Sequence, residues 1–165
     1  DEQGSVQARL RSSFKRRTYK YNRFRDRDPL KYSTVIRRNL IMQKVISTDK
    51  APSAIGPYSQ AIEAGGFIFT SGVIPVDPQT GEIGESIEEQ ARQAFTNLCN
   101  LIEASGSYVS QVVKTTVFIK DMEDFTRINE IYAEFFKEPF PARSCVEVAR
   151  LPKDVKLEIE AVVAV

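Results

Sequence analysis

The order of periodic segments predicts an α+β fold, a mixed sheet with two helices on one face. Three observations carry this. The runs from Ser86 to Gly106 and from Asp121 to Phe135 repeat their apolar residues at helical spacing. The last two apolar runs, 142–148 and 156–165, alternate as strands do, with Leu151-Pro152-Lys153-Asp154 as the turn between them. Gly65-Gly66 stands between two further apolar segments, which is a hairpin signal.

Taken in order, residues 43–47 read as a short strand ended by the polar Thr48-Asp49-Lys50. Residues 51–58 hold Pro52, Gly56 and Pro57 and must be a loop. The hairpin strands are 60–64 and 67–71, and 75–84, with Pro78 and Gly81, is an exposed connection. A helix starts at Ser86, whose pairing with Glu89 makes a capping box. Ile87, Ala91, Ala94, Phe95, Leu98, Leu101 and Ile102 keep one apolar face, and Gly106 stops the helix. Residues 112–120 are rich in β-branched side chains and predict a buried strand. Asp121 or Asp124 starts the second helix, with Phe125, Ile128, Ile131, Tyr132 and Phe135 inward. The resulting order is β-β-β-α-β-α-β-β.

Charge divides the chain. Residues 1–46 carry thirteen Lys/Arg against four Asp/Glu, a balance of +9, and residues 47–165 carry ten against eighteen, a balance of −8. Phe14-Lys15-Arg16-Arg17 and Arg23-Phe24-Arg25-Asp26-Arg27 lie in the basic part, which has no sustained apolar period. Residues 1–41 therefore read as a basic extension: an organelle-targeting leader, a solvated tail or an expression remnant, with phosphate binding as a further reading. Met42 directly precedes the first strand-like run and resembles an internal start, so the domain proper is 42–165. Nucleic acid is expected only through 1–41.

No apolar run approaches the ~20 residues that span a bilayer, so no membrane partner is expected. A cytoplasmic protein is the expectation, or a mitochondrial or plastid one if 1–41 is a leader. Two cysteines, Cys99 and Cys145, make no disulfide framework and point to a reducing compartment. With no histidine and no CxxC pair, neither a zinc site nor another metal is expected.

The face left uncovered decides the chemistry. In 156–165, Leu157, Ile159, Ala161 and Val163 point one way, and Glu158, Glu160 and Val162 the other; in 142–148, Arg143, Cys145 and Glu147 share a side. The expectation is that the apolar set packs on the helices and the charged sets share the opposite face. A half-apolar sheet face calls for a partner, hence a homo-oligomer with charged residues at its seam. An arginine on a rigid strand is a fork for a substrate carboxylate, and a nearby glutamate can handle a water molecule. An Arg–Glu pair that only holds the interface explains the pattern equally well.

Six ordered motifs make the pattern specific. They are Ala51-Pro52-Ser53-Ala54-Ile55-Gly56-Pro57-Tyr58-Ser59-Gln60, Phe69-Thr70-Ser71-Gly72, Pro78-Gln79-Thr80-Gly81, Lys114-Thr115-Thr116-Val117, Ile128-Asn129-Glu130-Ile131-Tyr132, and Pro141-Ala142-Arg143-Ser144-Cys145 through Leu157-Glu158-Ile159-Glu160-Ala161. In order and spacing they resemble the RidA/YjgF family, over essentially all of 42–165 and none of 1–41. The resemblance implies a chorismate-mutase-like α+β fold and a homotrimer with clefts between subunits. It implies hydrolytic deamination of 2-imino acids, such as 2-iminobutanoate and 2-iminopropanoate, to 2-oxo acids and ammonia, without a cofactor. The resemblance also implies that the activity protects pyridoxal-phosphate enzymes.

By the same resemblance the carboxylate-binding arginine falls on Arg143, the water-orienting glutamate on Glu158, the cleft tyrosine on Tyr58 and the pocket serine on Ser71. Gly72, Cys145 and Asn129 line or neighbour that cleft. The segment Phe136-Lys137-Glu138-Pro139-Phe140 varies in length among members and can reshape one wall. Each residue also has a plainer reading: Tyr58 packing in its loop, Ser71 as a turn residue, Cys145 as a small buried hydrophobe. Two other functions stay open, a single-stranded RNA endoribonuclease or translation inhibitor and a non-catalytic trimer that binds 2-oxo acids.

Overall fold

The computed structural model describes residues 43–165. The basic extension expected at 1–41 lies outside the described residues. Within them, β1 (Lys44–Ile46), β2 (Ala61–Ala64), β3 (Phe67–Thr70), α1 (Ile87–Ala104), β4 (Val112–Ile119), α2 (Phe125–Phe135), β5 (Ala142–Glu147) and β6 (Leu157–Ala164) follow the expected order. Single 3-10 turns precede β4, α2 and β6.

The strands form one sheet in the order β1-β2-β3-β6-β4-β5. All neighbours are antiparallel except β4 and β5, which run parallel because α2 crosses between them. The β2–β3 turn closes through Gly65 and Gly66 at φ 62° and 84°, the left-handed region that a side chain disfavours. In α1 the Ser86 hydroxyl accepts from the Glu89 N–H at 3.1 Å, and the Glu89 carboxylate accepts from the Ser86 N–H at 2.9 Å. Asp121 caps the 3-10 turn Met122–Asp124, and α2 begins just after it, so both aspartates singled out as starts stand at an element boundary.

α1 lies across β6 with α2 beside it. Leu157, Ile159, Ala161 and Val163 of β6 are buried beneath them, as the alternation predicts, together with Phe95, Leu98 and Ile102 of α1 and Ile128, Ile131 and Tyr132 of α2. The far face is open. There Phe69 pairs with Val162, Glu160 with Thr116, and Glu158 with Phe118. Phe67 and Phe69 remain 41% and 48% exposed on it. β4 lies between β6 and β5, and the buried strand expected there is buried on one side, its other side facing the open face.

Candidate active site

Beyond β3 the chain leaves through Ser71 and Gly72 and touches β6 again at Val73. The Val73 N–H donates to the Ile159 carbonyl at 2.7 Å, and the Ile159 N–H donates back at 3.1 Å. That bridge lays Gly72 directly over Glu158. A Cβ at position 72 would sit 1.7 Å from Glu158 Oε1, so only glycine lets the carboxylate lie there. The Ser71 hydroxyl donates to the Ser59 carbonyl at 2.6 Å, and its lone pairs stay free to accept.

The loop that brings Tyr58 is tied down by a buried glutamine. Gln60 Nε2 donates to the carbonyls of Thr48, Ala51 and Pro52, and Oε1 accepts from the Thr48 N–H at 2.7 Å. Tyr58 is half-exposed, and its hydroxyl accepts weakly from the Ile55 N–H at 3.4 Å. Tyr58, Ser71, Gly72 and Glu158 thus line one cleft of about 340 Å³, closed by Ile55, Ile74 and Pro152. Burial first, and then the charge of Glu160, holds the Glu158 carboxyl above the ordinary glutamate range.

Arg143 is elsewhere. Its register partner on β4 is Thr115, which is buried and pairs in turn with the buried Ala161. Arg143 and Cys145 therefore belong to the helix side of the sheet, and Glu158 and Glu160 to the open side. This corrects the expectation of one shared charged face. The cause is the parallel β4–β5 register, which alternation within a strand does not reveal. The guanidinium lies over the rings of Phe125 and Tyr132, with Cζ 5.7 Å and 4.6 Å from their centroids. Among the described residues it makes no ion pair. Asn129 stands on α2 between Phe125 and Tyr132 at helical spacing, on the same stretch. Cys145 packs half-buried against the core, and burial pushes its thiol up although Arg143 opposes this.

The seven predicted residues thus form two groups on one chain. Tyr58, Ser71, Gly72 and Glu158 gather in the cleft; Arg143 and Cys145 lie on the helix side of β5, and Asn129 stands on α2 between the two residues whose rings Arg143 covers. Reading the sequence missed Ile55, Ile74 and Pro152 as cleft walls, and the ring pair under Arg143. The spacing Phe125, Asn129, Tyr132 (i, i+4, i+7) is the signal that points to the latter. Among the described residues no group of three His, Cys, Asp or Glu is placed to hold a metal ion.

Fold and site together define a small α+β class with a carboxylate, a hydroxyl and backbone groups around a cleft of metabolite size. The chain belongs to the RidA/YjgF family: the family model described as endoribonuclease L-PSP matches residues 48–165. A Salmonella typhimurium relative named 2-iminobutanoate/2-iminopropanoate deaminase is 56% identical over 124 residues, covering 73% of this chain and 97% of its own. The structure of Escherichia coli TdcF with bound serine superposes with a TM-score of 0.71 at 53% identity, covering 74% of this chain and 98% of its own. The Escherichia coli YjgF protein gives 0.70 at 54% identity, over 73% and 98%.

Proposed function

We propose that the protein hydrolyses the reactive imines 2-iminobutanoate and 2-iminopropanoate to 2-oxo acids and ammonia, sparing pyridoxal-phosphate enzymes from them. The observation that supports this most is the guanidinium of Arg143, held on an aromatic face and, among the described residues, in no ion pair. A charge-assisted fork on a carboxylate is worth roughly 1.5–3 kcal/mol and fixes the plane of the neighbouring C=N group. The names of the close relatives point the same way.

Because Arg143 and Glu158 of one chain lie on opposite sides of the sheet, the working cleft takes them from different protomers. One contributes Glu158, Tyr58, Ser71 and Gly72; its neighbour contributes Arg143, Asn129 and Cys145. A contact that joins two different patches closes into a ring where its rotation permits, and the chorismate-mutase-like homotrimer of the family is the ring we propose, with three clefts. The open sheet face supports it, since Phe67, Phe69 and Val146 are large apolar side chains left exposed there.

In that cleft Arg143 holds the carboxylate, and the hydroxyls of Ser71 and Tyr58 and the Gly72 backbone orient the C=N group. Glu158 takes a proton from a water molecule as its oxygen bonds to C2. The carboxyl then returns that proton to nitrogen. Glu158 next relays the carbinol O–H proton to the same nitrogen, the C–N bond breaks with its electron pair leaving on ammonia, and the carbinol oxygen becomes the 2-oxo group. A carboxyl held above its ordinary range suits a group that must both accept and return a proton.

The compartment proposed is the cytoplasm, or an organelle where residues 1–41 act as a leader. No described helix is long and apolar enough to cross a membrane. The RNA reading keeps its support in the basic residues 1–41, and RNA affinity against salt with and without them tests it. The deaminase reading is tested by ammonia and 2-oxobutanoate release from enzymatically generated 2-iminobutanoate. The wild type accelerates release and Arg143→Ala loses the fast phase; no acceleration by the wild type contradicts the proposal.

A further inference from the structure

The guanidinium of Arg143 has no acceptor beside it among the described residues, yet it is held. Its Cζ sits 4.6 Å over the Tyr132 ring, close enough for the π-face to attract the cation. Tyr132 is locked in turn. Its hydroxyl lies 2.8 Å from Oγ1 of the fully buried Thr115. Its ring stacks on Phe136 at 4.3 Å between centroids and meets Phe95 edge-on at 5.7 Å. Thr115 is also the register partner of Arg143 across the parallel strand pair. One β4 residue thus fixes both the backbone that carries the arginine and the phenol beneath its guanidinium.

We infer that Tyr132 is the positioning residue of the carboxylate fork: its ring sets the plane of the Arg143 guanidinium, and Thr115 sets the ring. The inference rests on the deaminase reading above. A guanidinium that forks a carboxylate must present two N–H groups in one plane, and a long side chain free in solvent would sample many planes before each encounter. The platform removes that search. The Tyr132 hydroxyl takes no part in proton transfer, because it is committed to Thr115 beneath the ring. The arginine acts on the substrate carboxylate, which keeps its charge throughout, so the platform strengthens ground state and transition state alike.

Three substitutions test this in the full chain: Tyr132→Leu removes the π-face, Tyr132→Phe keeps it, and Arg143→Gln removes the cation. The measurements are Kd for 2-oxobutanoate by calorimetry, and KM and kcat for 2-iminobutanoate, on variants that keep wild-type assembly. Tyr132→Leu raises Kd and KM about tenfold while kcat changes far less, and Tyr132→Phe restores most of the loss. In the Arg143→Gln background the same Leu replacement changes Kd by less than about twofold, because the group it acts through is gone.

A tenfold loss that persists without Arg143, or a fall in kcat with Kd unchanged, overturns the inference. If Tyr132→Leu does not assemble, Thr115→Val carries the test: it raises Kd a few-fold only where Arg143 is present, and an unchanged Kd overturns the inference. A wild type that neither binds 2-oxobutanoate nor accelerates hydrolysis brings down the deaminase reading, and this inference with it.

Discussion

Glu158 depends on what residue 72 lacks. Gly72→Ala would put a methyl carbon where Glu158 Oε1 now lies, and the flexible carboxylate, not the backbone, would yield. The expected result is a folded protein with kcat down about 100-fold, read by steady-state hydrolysis and circular dichroism, since misplacement of a reacting group by ~1 Å is enough for that loss. The charge of Glu160 gives a second test. In the proposed reaction Glu158 works ionised, and burial together with the Glu160 charge holds its carboxyl above the ordinary glutamate range, so the expected activity falls as pH drops through that raised value. Removing the like charge with Glu160→Gln moves the acid limb of the kcat/KM profile to lower pH; a limb that stays in place denies the coupling. The stability sign follows: the folded state binds this proton more tightly than the unfolded chain. The contribution of Glu158 to stability is therefore full below 4.5 and is lost as pH rises through the raised value.

Elements were legible where a local rule dictates them. Ser86 and Glu89 announce the start of α1 because an N-terminal turn has orphan N–H groups that a hydroxyl and a carboxylate can accept from. Ser86→Ala removes one acceptor and costs about 1 kcal/mol, measured as a lower urea midpoint with unchanged slope. Gly65-Gly66 fixed the hairpin for a similar reason, its two positive φ angles. The side of the sheet that Arg143 occupies was not legible. β5 is an edge strand whose residues are all exposed or half-buried, so its alternation carries no contrast between inside and outside. Its face is set by the pairing of Thr115 with Arg143, a contact between segments that only the folded chain reveals. The Arg143 platform was hidden likewise, because Phe125 and Tyr132 read as ordinary inward aromatics of α2. The six motifs marked the candidate residues, but not which of them one chain brings together.

At the scale of the whole molecule, one chain carries its two groups of candidate residues on opposite sides of the sheet. Glu158 lies over Gly72 on the open face, and Arg143 lies on Tyr132 on the helix face. The proposed ring resolves this by docking the edge of one protomer against the open face of the next. Mixing two inactive variants tests that directly. Arg143→Ala and Glu158→Gln chains, unfolded together and refolded at equal concentration, distribute at random among the proposed trimers. If each cleft draws Arg143 and Glu158 from neighbouring protomers, about a quarter of the clefts regain both groups, and about a quarter of wild-type imine hydrolysis returns. If both groups act from within one chain, no cleft is restored. A mixture as inactive as its two components contradicts the account.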